Sequence, residues 1–359
     1  MTPLARCATV GTVVSLALLS SAAGATAAPV PAEAAALLSA LSAGPAPAPA
    51  PGGAAARTNQ DGLPLSAFVD AQSVLQLYAL GESASLEQGV APGTSPAVAE
   101  IAGTELGYQI AFQANTGELI VIGDAGSIRT GQGMAPGTSP SIAADARGGY
   151  SVAFQANTGN LFTFTGANGG GTPADLQQGM RRGTSPSISS VPSGGYQTAF
   201  QANTGELVLF GAAARGNTRQ GMADGTSPSL ALTSSSEYLV GFQANTGVLY
   251  QYSSRRGPAS VGQGMQAGTS PSTAPLGAGR YQHAFQANTG ELISIGSALA
   301  VNTRQGMAAR TSPSIVPLED GLFEISFQAA PGRLFTYDPV NGPADTGLAV
   351  LAGTSPSTG

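Results

Sequence analysis

The chain contains no lysine and no tryptophan, one histidine and one cysteine, and only 9% of its residues are charged. Each shortage excludes a class of chemistry. A lone cysteine rules out a disulfide framework and a cysteine-ligated metal. The formal net charge of -6 disfavours nucleic acid or an anionic membrane as the partner. Apolar runs are equally scarce: the one from Val10 to Leu19 is too short to span a bilayer. With Arg6 before it and small residues ending in Ala25-Thr26-Ala27 after it, that run has the three-part form of a secretory signal peptide, predicted over residues 1–27. Cys7 falls inside it, so the exported, extracellular chain is expected to carry no thiol and to make no membrane insertion. Residues 28–60 read as an Ala/Pro-rich linker. Its Glu33–Ala43 portion has a weak helical tendency, and the Pro-Ala alternation from Pro45 to Pro51 favours a stiff polyproline II tether.

What is present is repetition. Phe-Gln-Ala-Asn-Thr-Gly occurs unchanged five times, from Phe112, Phe154, Phe200, Phe242 and Phe285, with degraded copies at Phe327 and Phe68. Thr-Ser-Pro recurs with prolines at Pro96, Pro140, Pro186, Pro228, Pro271, Pro313 and Pro356, spaced by 42 to 46 residues. Seven units of this length indicate a closed ring or a solenoid. Within one unit, Tyr150, Val152 and Phe154 alternate on one strand face, as do Phe162 and Phe164 on the next strand. The Asn-Thr-Gly between them supplies residues suited to a tight hairpin. Four short antiparallel strands make a propeller blade, which buries both faces only by stacking on neighbours. The fold is therefore predicted to be an all-β, seven-bladed β-propeller over residues 61–359. The first unit lacks a Thr-Ser-Pro strand and the last Thr-Ser-Pro has no unit after it, so Thr354–Gly359 is predicted to pair inside the N-terminal blade. Met134, Met180, Met222, Met265 and Met307, with Val90 and Val350, share one phase of the repeat and read as packing between blades.

Strand order places Asn-Thr-Gly and Gly-Thr-Ser on one face of the disc, with variable loops on the other. The repeated face offers amides and hydroxyls, suited to multivalent capture of a neutral, hydroxyl-rich ligand. The candidate ligand-binding residues are Asn115, Thr116, Asn157, Thr158, Asn203, Thr204, Asn245, Thr246, Asn288 and Thr289. The same residues also serve as ordinary turn punctuation. The repeated Gln113, Gln155, Gln201, Gln243 and Gln286 are placed for either a ligand or a neighbouring blade.

The run of Ser-Pro, an aromatic strand ending in Phe-Gln-Ala-Asn-Thr-Gly, then Leu with aromatic neighbours resembles secreted actinobacterial propeller repeats. More distantly it is similar to seven-bladed bacterial fucose-binding lectins and tachylectin-like propellers. The resemblance extends from about residue 62 to the end. It implies sugar pockets between adjacent blades with an aromatic for stacking. The matching third-strand positions hold Phe162, Tyr250 and Phe335, which join the candidate site, but Ile120, Val208 and Ile293 in other blades.

Catalysis finds little support. His283 lies mid-strand where other units hold Ile110, Val152, Thr198 and Val240, and no Gly-x-Ser-x-Gly elbow accompanies it. Glu118, Glu206 and Glu291 recur after Asn-Thr-Gly as hairpin-edge residues, and other acids such as Asp70, Asp145, Glu237 and Asp338 scatter over different phases. No cofactor, catalytic set or metal-ligand set is expected. The expectation is a secreted, lectin-like protein binding glycans or cell-surface polysaccharide, the alternative a non-catalytic structural or protein-binding module of the cell envelope.

Overall fold

The computed structural model describes residues 31–43, 64–101, 107–145, 147–235, 237–318 and 321–359. The expected signal segment and most of the linker lie outside these residues. Seven four-stranded antiparallel sheets follow one another along the chain, each in simple up-and-down order. Blades 2 to 7 occupy 97–133, 141–179, 187–221, 229–264, 272–306 and 314–349. Blade 1 takes three strands from the N-terminal side, Ser66–Val69, Val74–Ala79 and Glu82–Gly89, and its innermost strand, Ser357–Thr358, from the other end of the chain. The closing register is Ser66 opposite Thr358 and Ala67 opposite Ser357, flanked by reciprocal Leu65–Gly359 backbone bonds of 3.0 and 3.1 Å. The ring is thus the closed seven-bladed propeller that the repeat predicts.

Its core lies between blades because each sheet turns one apolar face to each neighbour. Ala111, Leu119 and Val121 of blade 2 pack on Val152, Phe154 and Phe164 of blade 3. Equivalent clusters join blades 1 and 2, 3 and 4, 4 and 5, 5 and 6, 6 and 7, and 7 and 1. The repeated phenylalanines are almost wholly buried, and so are the five methionines, each bridging to an alanine of the next blade. The repeated glutamines are interior too. Gln113 Nε2 donates to the Met134 carbonyl at 3.3 Å, and Gln155, Gln201, Gln243 and Gln286 do the same one blade on, so they hold the crossover rather than a ligand.

The Thr-Ser-Pro-Ser run explains how the inner strands close around the axis. An inner strand has one unpaired edge whose N–H groups need acceptors. The N–H of Ser95 donates to Ser139 Oγ, and the same link runs through Ser185, Ser227, Ser270, Ser312 and Ser355 and back to Ser95, every step 2.9 Å. A second tier runs in the opposite sense: Ser141, Ser187, Ser229, Ser272, Ser314 and Ser357 each accept an N–H from the following blade at 2.9–3.2 Å. Ala97 leaves this tier open at blade 2. The preceding threonines, among them Thr94 and Thr138, are fully buried, with Oγ1 2.8 Å from a carbonyl three residues back. The expectation that Gly-Thr-Ser offers hydroxyls to a ligand is therefore corrected for threonine: its hydroxyl belongs to the turn.

Ala32–Ala43 forms a helix whose Ala34 and Leu37 pack with Ala84 and Leu86 on the outer strand of blade 1.

Candidate functional site: the clefts between blades

Each Asn-Thr-Gly forms the hairpin between the second and third strands. In blade 2 the Ala114 N–H donates to the Glu118 carbonyl and the Gly117 N–H to the Ala114 carbonyl, both at 2.8 Å, with Gly117 at φ 83°. A left-handed residue at that point favours glycine. Asn and Thr stand at the hairpin tip, and all ten candidates, Asn115 to Thr289, are exposed.

The asparagines do two things. Their backbone N–H donates to the glycine that ends the preceding blade, as from Asn157 to the Gly133 carbonyl at 3.0 Å. Their side chain then lies over that glycine: a Cβ built on Gly133 would sit 2.6 Å from Asn157 Nδ2, and on Gly221 2.7 Å from Asn245 Nδ2. At these positions the asparagine of the next blade leaves little room for a Cβ, and glycine fits. The amides of the five asparagines make no hydrogen bond within the described residues.

Between blades 2 and 3 this arrangement leaves an open cleft of about 430 Å³, lined by Thr116, Gly117, Glu118, Gly131, Gly133, Met134 and Asn157. Hairpin tip, outer strand and the neighbouring asparagine all contribute. Glu118 is bound by Arg129 at 2.8 Å, and its second oxygen accepts the Gly131 N–H. In blade 4 Glu206 Oε2 accepts from Thr204 Oγ1 at 3.1 Å and Asn217 Nδ2 at 2.5 Å. Blade 6 repeats this, with Glu291 bound by Thr289 at 3.1 Å and Asn302 at 2.8 Å. In the sequence these glutamates read only as hairpin edges. Arg129, Asn217 and Asn302 lie eleven residues downstream across a β-bulge, a register the repeat alone does not disclose.

Phe162, Tyr250 and Phe335 are half-buried, each tilted against the repeated phenylalanine of its own blade, with centroids 5.8, 6.0 and 5.7 Å apart. They pack into the interfaces with blades 2, 4 and 6 respectively.

His283 does not join this face. It is buried, with Nδ1 2.9 Å from Thr273 Oγ1 and Nε2 3.3 Å from Gln251 Oε1 of blade 5, and burial lowers its pKa from 6.5 to about 4. Neutral imidazole is a packing element here. Among the described residues no three His, Cys, Asp or Glu side chains come together, and no helix is long and apolar enough to cross a membrane.

Among solved structures the chain aligns with several proteins, lectins among them. The fucose-specific lectin from Aleuria aurantia matches with TM-score 0.51 and 14% identity over 72% of this chain and 96% of that one. AofleA from Arthrobotrys oligospora matches with TM-score 0.51 and 12% identity over 74% of this chain and 88% of that one. The chain shares its fold with these proteins. Another structure of the Aleuria aurantia lectin is described as a six-bladed β-propeller, so the present ring has one blade more. No known protein-family pattern matches the sequence. No curated protein matches it either.

Proposed function

We propose that this protein is a secreted, non-catalytic, carbohydrate-binding propeller that holds neutral sugars in clefts between blades, on the face carrying Asn-Thr-Gly. The observation that carries the proposal is the cleft between blades 2 and 3, where a hydroxyl, a carboxylate and an unbonded amide from two blades converge. Sugar sites need this mixture of fixed acceptors and donors beside an apolar wall. The structural neighbours support the reading in kind, with lectins among them, one described in complex with Fucα1-6GlcNAc. Repetition of a modest site on one rigid disc would supply avidity toward a polymeric or cell-surface glycan.

The second reading is a scaffold or protein-binding module of the envelope. It is favoured by one specific observation: the serines and threonines of Thr-Ser-Pro and the Nε2 groups of the repeated glutamines have structural partners within the ring. A glycan array probed with the purified protein, with a heat-denatured control, separates the two. Selective signal for one sugar type is expected, and a blank from folded protein would leave the scaffold.

A further inference from the structure

The face opposite Asn-Thr-Gly is built from the loops that join inner to second strands and third to outer strands, and its charge is divided by blade order. Its described residues in blades 7, 1 and 2 bring five acids, Glu324, Asp338, Glu82, Glu100 and Asp124, and no arginine. Those in blades 4, 5 and 6 bring four arginines, Arg215, Arg255, Arg256 and Arg280, against the single acid Glu237. Blade 3 carries one of each sign, Asp145 and Arg147. Within the described residues Glu82, Asp124, Glu324 and Asp338 make no ion pair, and of the four arginines Arg255 alone makes one, with Glu237 at 3.1 Å. Apolar side chains are divided in the same way. The three exposed large hydrophobic residues among those described, Leu80, Leu322 and Val340, all stand on this face in blades 7 and 1. Leu80 is 53% exposed and sits at φ 55° in a Leu-Gly turn, whose counterpart in blade 3 is Asn168-Gly169 with φ 51° and 74°. Asparagine suits that left-handed position and leucine does not. An exposed leucine held in a strained turn adds nothing to the core and points to a contact outside the chain. On the basic side, Tyr252 and Tyr281 are half-buried at strand ends of blades 5 and 6.

We infer that this face is self-complementary and joins two copies of the chain back to back. A two-fold axis lying in the plane of the face, through blade 3 and the 6–7 interface opposite it, sets blade 2 of each copy over blade 4 of the other. The same axis sets blade 1 over blade 5 and blade 7 over blade 6. Every pairing then opposes unlike charges: Glu100 and Asp124 to Arg215, Glu82 to Arg255 and Arg256, Glu324 and Asp338 to Arg280. Blade 3 meets itself, with Asp145 of each copy toward Arg147 of the other. Leu80 falls over blade 5, which carries Tyr252, and Leu322 and Val340 fall over blade 6, which carries Tyr281. Seven blades permit this arrangement, because a two-fold through one blade of an odd ring passes between two blades on the far side. The contact is isologous and closed, so association stops at the dimer. Exposed unlike charges steer the encounter and reject other registers, while the apolar contacts among them hold the pair. The dimer presents one Asn-Thr-Gly face outward at each end, whatever that face binds, and so does not depend on the carbohydrate-binding reading.

Sedimentation equilibrium of the purified protein tests this. In about 0.05 M salt a monomer–dimer equilibrium is expected, weakening roughly tenfold or more in about 0.5 M salt, where exposed charges are screened. Glu82→Arg, and separately Arg255→Glu with Arg256→Glu, set like charges against each other where blade 1 meets blade 5, so each protein alone is expected to be monomeric. Mixed in equal amounts the two are expected to recover a dimer, because both contacts between blades 1 and 5 then carry unlike charges. Leu80→Asn copies the blade 3 turn, so it should keep or raise Tm while weakening the dimer roughly tenfold or more. A protein that stays monomeric at about 100 μM in low salt overturns the inference. So does a dimer that neither charge variant disrupts, or a mixture of the two that fails to restore it.

Discussion

His283 and Gly241 illustrate how single residues are set by their neighbours across a blade interface. Most other second strands carry alanine before the repeated phenylalanine, as Ala111, Ala153, Ala199 and Ala284 do, and blade 7 carries Ser326, but blade 5 carries Gly241. A Cβ there would lie 2.6 Å from Thr273 Oγ1 and 3.0 Å from His283 Nδ1. The glycine makes room for the imidazole. Gly241→Ala is therefore expected to cost about 1–3 kcal/mol by overpacking. Combining it with Thr273→Ala and His283→Val should recover most of this, as urea denaturation of the cycle would show. The histidine also links stability to pH. Its pKa is lowered to about 4 by burial, so the unfolded chain takes up a proton between pH 6.5 and 4 that the folded chain refuses, and stability falls as pH drops through that interval. Removing it in His283→Val should abolish an acid loss on the order of 3 kcal/mol, visible as a flatter curve of Tm against pH. Glu324 behaves oppositely. Burial first and Asp338 second push its carboxyl up to about 7, so its favourable contribution is present below pH 4.5 and lost as pH rises through 7. Gln109 holds the same phase in blade 2, with Oε1 accepting the Ala125 N–H at 2.9 Å and Nε2 donating to the Gly126 carbonyl at 2.8 Å. Glu324→Gln should therefore raise Tm at pH 8 and change it little at pH 4.

At the scale of the element, the hairpin joining the third and fourth strands carries a bulge in every blade, where the register slips. The extra residue is left-handed each time: Glu87, Gly131, Gln177, Arg219, Gly262, Arg304 and Gly347, with φ between 54 and 76°. In most blades a short polar side chain two residues earlier accepts that residue's N–H, as Asn217 and Asn302 do at 2.7 Å and Asp345 at 2.8 Å. These local bonds offset the cost of left-handed non-glycine residues. The four strands were legible from alternation and turn residues. The bulge was not, because four of its seven left-handed residues are not glycine and give no punctuation. The Gly–Asn contact between blades was equally hidden, since both residues pass as turn formers. Gly133→Ala should destabilise by about 1–3 kcal/mol through the clash with Asn157. Asn157→Ala should relieve it, as at Gly306, where Ala330 lies opposite and a Cβ would find 3.6 Å. A thermal-shift comparison of the single and double variants checks this.

For the whole molecule, seven repeats specified the ring, and the unmatched Thr-Ser-Pro at the C-terminus specified its closure. The last strand links to blades 1, 2 and 7 through Leu65–Gly359, Val98–Ser357, Thr358–Ser314 and the paired hydroxyls of Thr358 and Ser326. Deleting residues 355–359 should remove about 5 kcal/mol or more at roughly 1 kcal/mol per hydrogen bond and expose an inner sheet edge. Denaturant titration would show the lower midpoint, and size-exclusion chromatography the self-association. The site was only half legible. Asn, Thr and the three aromatics were visible as candidates, but one strand's alternation cannot say which of two neighbouring blades a ring faces. That choice, fixed by packing, turns Phe162, Tyr250 and Phe335 toward blades 2, 4 and 6. The most direct test of the account is a crystal structure of the protein soaked with the sugar that leads the glycan array. Sugar density at the interblade clefts of the Asn-Thr-Gly face is predicted, resting on the hairpin-tip Thr of one blade and the Asn of the next. Density confined to the opposite face would contradict it.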